Sequence, residues 1–256
     1  MARTSIDGAA ATKRPLRLQL SAELSLRECG LPSVARGDVL MDLTRMKLGC
    51  RWQPGDAPPV AVTAAHVPEV PGAWGRCSAP RISGDNATVG DCVETAAANA
   101  VQTALARAGL PGQIANSFVV DLYSRITGYK PGEPATDRGT NPADLFRYWQ
   151  ANAIGGYRLE SVAGIDPVAE AAIRHAIVQT GGVFLVVALS VEQQSQSVWE
   201  PAGTPGSWGY HAVWCDSFDG GLTFATSWGA DMPIDRSYFT APGFVQGAFS
   251  LNLTRN

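Results

Sequence analysis

Residues 183–189 read Val-Phe-Leu-Val-Val-Ala-Leu, an unbroken apolar run between Gly181-Gly182 and Ser190. A run this short, rich in branched side chains and bounded by turn formers, fits a fully buried strand and falls well short of a membrane span. Segments upstream of it carry helical patterning. Downstream, short apolar stretches punctuated by glycine read as further strands: "GYHAVWCDSF", "GLTFATSWG" and "GAFSLNLT". Helices first and antiparallel strands after predict an α+β fold of two packed lobes.

The helical half is legible in detail. Alanines dominate from Cys92 to about Ala108, with Asp91 placed to cap the start, Glu94 three residues on and Gly109 to stop it. A second helix is predicted over Asn116–Ile126, with Phe118, Val119, Leu122 and Tyr123 on one face. Pro142 opens a third through Ala151, and Pro167 a fourth through Val178. Ahead of all this lie a loose arm, alternating stretches from Leu16 to about Met46 that predict strands, and a Pro/Gly-rich connector over Trp52–Asn86. We place a boundary near residue 78. Residues 1–78 then form an N-terminal strand-rich extension, and residues 79–256 the main domain, with a left lobe over about 79–165 and a right lobe over about 166–256.

Composition removes several function classes. A net charge of -3 gives no reason to expect nucleic acid or an anionic membrane as partner. The five cysteines form no CxxC pair and no cluster with histidine, which speaks against a disulfide framework or a zinc site, and the thiol chemistry considered below implies neither metal nor organic cofactor. The N-terminus lacks the apolar core of a signal peptide, which predicts a cytoplasmic, reducing setting.

One cysteine stands apart. In "VGDCVETAAANA" Cys92 sits at the mouth of a helix, just after a glycine turn. The thiolate is the reactive form, and it is favoured by the positive end of a helix dipole and by an imidazole that accepts its proton. The three histidines are His66 in the connector, His175 within a helical pattern, and His211, which begins a strand after the turn "GTPGSWGY". The plainer alternatives stay open: Cys92 as a small buried apolar residue and His211 as a core histidine.

Gly90-x-Cys92 opening a helix, His211-Ala212-Val213 on a strand and Thr226-Ser227-Trp228-Gly229 on the next resemble, in that order, the papain-like cysteine peptidases. "DRGTNPADLFRYWQANAIGGY" and "AAIRHAIVQTGGVFLVVALSV" extend the resemblance over most of residues 80–256, and the compact wording is most similar to members encoded by bacteriophages and prophages. The resemblance implies a papain-like two-lobe fold and a polypeptide substrate. It makes Cys92 the nucleophile, His211 its base and Asn86 the oxyanion-hole amide. Thr226 stands where the family has the asparagine that orients the imidazole, Trp228 shields the pair, and Gly139-Thr140 face the substrate.

The pattern departs at three places. Thr226 has a shorter reach than asparagine, Asn86 is one methylene shorter than glutamine, and the Asp91 carboxylate adjoins the thiol unless it turns away as a cap. These departures sustain a second reading: a catalytically degenerate papain-like fold serving as a structural or binding component, for example of a phage particle, assembled through residues 1–78. The family's inhibitory pro-segments are helical whereas this extension reads as strand-rich, so a removable propeptide is not expected. A cleft plugged by residues 1–78 would favour the scaffold.

Overall fold

The computed structural model describes residues 43, 46–53, 55, 60–62, 70–75 and 79–256. The strands expected between Leu16 and Met46, and with them most of the N-terminal module, lie outside the described residues. In chain order the elements are β1 (Val60–Val62), β2 (Ala73–Trp74), α1 (Cys92–Arg107), α2 (Asn116–Thr127), α3 (Pro142–Ala151), β3 (Tyr157–Ile165), α4 (Glu170–Thr180), β4 (Val183–Leu189), β5 (Gly209–Asp219), β6 (Leu222–Ser227), β7 (Ala230–Asp235), α5 (Ser237–Thr240) and β8 (Val245–Arg255).

The apolar run does become the central strand. Sheet order is β1-β3-β8-β4-β5-β6-β7, with β2 pairing the far end of β5. Neighbours from β3 to β7 run antiparallel, and β1 lies parallel to β3. The period of two then sorts the β4 side chains between two cores. Val183, Leu185, Val187 and Leu189 pack with Ala172, Ile173, Ala176 and Ile177 of α4. Phe184 and Val186 face the other way, against Val93, Ala97 and Val101 of α1 and Phe146 and Trp149 of α3. Helices therefore cover both faces, which is why the run contains no polar residue.

Three helices fall where the sequence places them, α3 to the residue. The fourth starts later than expected. The Asp166 carboxylate accepts the Val168 N–H at 3.2 Å, and this local turn holds Pro167 outside the helix. Four strands escaped prediction: the short β1 and β2, which lie within the stretch read as a connector, and β3 and β7 of the main sheet. In β3 the polar Glu160 and Ser161 sit at a register shift against β8, which blurs the alternation. β7 contains Pro233, which reads as a strand breaker; here it is tolerated because β7 ends the sheet and Trp199 covers its free edge, donating to the Pro233 carbonyl at 2.8 Å. No helix among the described residues is long and apolar enough to cross a membrane.

Candidate active site

The alanines of α1 let the helix lie close against β5, and its first twelve residues, from Cys92 to Thr103, are buried. Asn99 anchors the approach to the helix by accepting the Ile82 N–H at 3.1 Å and donating to the Ile82 carbonyl at 3.0 Å. Asp91 holds the N-cap position without capping. Its carboxylate instead turns back to accept the Asp85 N–H at 2.9 Å. Burial raises the Asp91 carboxyl to about 7, so near neutrality much of the charge expected beside the thiol is absent.

Cys92 opens α1 with no exposed surface. Burial pushes its thiol up to about 12, although the nearby backbones of Ala212 and Gly49 pull it the other way. His211, the third residue of β5, is 1% exposed, and burial alone takes its imidazole down to about 3. Both groups are therefore neutral in this form. No hydrogen bond joins the sulfur to the His211 ring, whose Nδ1 is buried without a partner among the described residues.

The rest of the imidazole is firmly held. Nε2 lies 2.7 Å from the Ser227 hydroxyl. Trp228 stacks on the ring at 4.6 Å between centroids and 10° between planes, and Trp199 meets it edge-on at 6.3 Å. Trp228 adopts φ 49, an unusual conformation for a bulky residue that places its indole over the imidazole. Thr226 is engaged elsewhere. β5 and β6 pair Trp214 with Thr226, whose hydroxyl donates to the Trp214 carbonyl at 3.1 Å. Successive strand residues point to opposite faces, so the hydroxyl on the histidine side is that of Ser227.

A segment of the chain's own N-terminal extension, residues 46–53, runs through this region. The Thr140 N–H donates to the Gly49 carbonyl and the Arg51 N–H to the Thr140 carbonyl, each at 2.8 Å, which makes Cys50 and Thr140 partners in a parallel bridge. Lys47 donates its N–H to the Asn86 carbonyl at 3.3 Å, and its ammonium pairs with the Asp137 carboxylate. Leu48 packs toward Gly209, and Trp52 lies 6.0 Å from Phe249. Glycine makes the crossing possible. A β-carbon on Gly49 would overlap the Gly90 carbonyl, and one on Gly139, at φ +70, would overlap the Gly49 carbonyl.

Of the residues inferred from sequence, Trp228 lies on the His211 ring, Gly139 and Thr140 meet Gly49, and the Asn86 carbonyl meets Lys47, whereas the Thr226 hydroxyl is turned to Trp214. Asn86 is 2% exposed with its Oδ1 unpartnered among the described residues. Thr140 donates its hydroxyl at 2.7 Å to Glu94, a carboxyl that burial raises to about 8. Sequence reasoning missed Ser227, because the resemblance aligned its neighbour. It also missed the strap formed by residues 46–53, because the cue was only one glycine in "KLGCRW". Among the described residues no cluster of His, Cys, Asp and Glu is arranged to hold a metal ion.

No family model and no curated protein sequence matches the chain. Solved structures do match. Xylellain, a cysteine protease from Xylella fastidiosa, superposes with a TM-score of 0.51 at 13% identity, over 82% of this chain and 97% of that one. Procathepsin B S9 from Trypanosoma congolense gives 0.58 at 13%, over 85% and 89%. Procathepsin L 3 of the Tenebrio molitor larval midgut gives 0.54 at 16%, over 83% and 77%. Identities this low speak to architecture alone, and on that point the matches agree: the fold is that of the papain-like cysteine proteases.

Proposed function

We propose that this chain is a papain-like thiol peptidase held latent by its own residues 46–53. Cys92 Sγ attacks the carbonyl carbon of a peptide bond, His211 takes the thiol proton and returns it to the leaving amine, and water then releases the acyl group. The Cys92 backbone N–H and the Asn86 amide hold the oxyanion, and Ser227 fixes the imidazole tautomer. Residues 79–256 form the catalytic domain, and the unpaired thiols of Cys50, Cys92 and Cys215 suit a reducing compartment.

One observation carries this reading: the main chain of Thr140 can ladder an extended peptide, here Gly49–Arg51 of the chain itself. A surface that binds Gly49–Arg51 through main-chain groups is suited to a substrate backbone. The strap also accounts for the neutral pair. Burial is the first cause of both shifts, so departure of the strap readmits water and favours thiolate and imidazolium together.

The second reading is a scaffold, for example a phage-particle component, that keeps the fold without the chemistry. The occupied cleft and the missing bond between Sγ and Nδ1 favour it. The two readings part on a Gly49→Val variant, whose side chain the strap's path cannot hold. A peptidase gains cleavage of unfolded protein substrates, and loses it again with Cys92→Ala or His211→Ala. A scaffold gains nothing, and its Cys92 reacts with a peptidyl epoxide no faster than Cys50.

A further inference from the structure

Asp137 has no part in the chemistry above, yet three segments of the site converge on it. Its side chain is 3% exposed. Oδ1 accepts the Tyr123 hydroxyl at 2.7 Å and the Gly90 N–H at 3.1 Å, while Oδ2 lies 3.2 Å from the same N–H and pairs with the Lys47 ammonium. Tyr123 continues the chain, its hydroxyl accepting the Gly139 N–H at 2.8 Å. Burial pushes the Asp137 carboxyl up, but the bonds from Lys47, Tyr123 and Gly90 outweigh it and hold it below the ordinary carboxylate range. The same burial, with Asp137 alongside, raises the Tyr123 phenol, so it stays a donor.

Gly90 lies two residues before Cys92, and Gly139 directly precedes the Thr140 that ladders a peptide backbone. Gly90 N–H, Asp137, Tyr123 and Gly139 N–H thus link the loop carrying the nucleophile to the loop carrying the peptide. We propose that Asp137 and Tyr123 are positioning residues of the latent peptidase, fixing the distance between the Cys92 sulfur and a backbone held on Thr140. Lys47 belongs to the strap and leaves with it, whereas the Gly90 and Tyr123 bonds join parts of the main domain and remain. This inference rests on the peptidase reading.

Reaction rate is sensitive to such a link, since about 1 Å of misplacement costs on the order of a hundredfold. The test uses the full chain carrying Gly49→Val, with Tyr123→Phe or Asp137→Asn added. Two rates are compared: kcat/KM on a peptide, and alkylation of Cys92 by iodoacetamide, which needs no laddered backbone. Tyr123→Phe is expected to lower kcat/KM roughly 10- to 100-fold while alkylation changes less than about threefold. Asp137→Asn is expected to do the same or more. Tyr123→Phe removes one oxygen and carries the test alone if Asp137→Asn does not fold. Equal losses in both rates, or no loss in either, overturn the positioning role. If Gly49→Val alone shows rapid alkylation but no cleavage of any peptide, the peptidase reading has failed first, and the inference falls with it.

Discussion

The backbone of Gly49 is seated on that of Gly90, so closely that a β-carbon placed on Gly90 would lie 3.1 Å from the Gly49 Cα. Two residues beyond Gly90 stands the Cys92 thiol. This contact is backbone on backbone, so neither side can yield by changing a rotamer. Gly49→Val is expected to destabilise the strapped form by roughly 1–3 kcal/mol, the usual cost of overpacking. Amide exchange at Arg51 and Thr140 should then accelerate about 5- to 150-fold. Unchanged exchange would mean that the strap tolerates the side chain.

Ser227 and Thr226 should separate cleanly. In the strap-released protein, Ser227→Ala removes the hydrogen bond on His211 Nε2, a loss of about 1–1.5 kcal/mol that predicts a roughly tenfold fall in kcat. Thr226→Ala breaks only a bond to the Trp214 carbonyl and should lower Tm with kcat nearly unchanged. The reverse order would restore the role to Thr226.

Stability of the strapped form should fall toward both ends of the pH range. The Glu94 carboxyl stands at about 8 against an ordinary 4.5, so its contribution is full below 4.5 and is lost as pH rises through 8. Asp91, raised from 3.8 to about 7, behaves alike. His211 has the opposite sign: lowered from 6.5 to about 3, it contributes above 6.5 and loses this as pH falls through 3. Glu94→Gln keeps the Thr140 bond and removes the ionisation, so its Tm should decline less between about pH 6 and 9. Parallel curves for variant and parent would place the alkaline loss elsewhere.

Much of this architecture is visible in the chain as text. Alanine and the Gly109 stop mark α1, Pro142 marks α3, and the apolar run marks β4, because each rests on local propensity or burial. The features that escaped are long-range. Ser227 meets His211 through the register of β6 on β5. Asp137 looks like one polar loop residue among many until Gly90 and Tyr123 close on it. The strap depends on a meeting of Gly49, Gly90 and Gly139, which only the fold brings together.

Removing the strap should also change which proton Cys92 holds. With it in place, alkylation should climb only toward strongly alkaline pH, following a thiol near 12. In Gly49→Val, labelling should already be rapid at neutral pH. Similar slow profiles for both proteins would show that the strap does not control the thiol.

The most direct measurement compares the pH profile of Cys92 alkylation in Gly49→Val with that in Gly49→Val carrying His211→Ala. A working pair predicts a high plateau reaching below pH 7 that disappears without the imidazole, leaving the rise of a lone thiol near its ordinary 8.5 or above. Superimposable profiles would mean that His211 takes no proton from Cys92, and the proposed chemistry would be gone.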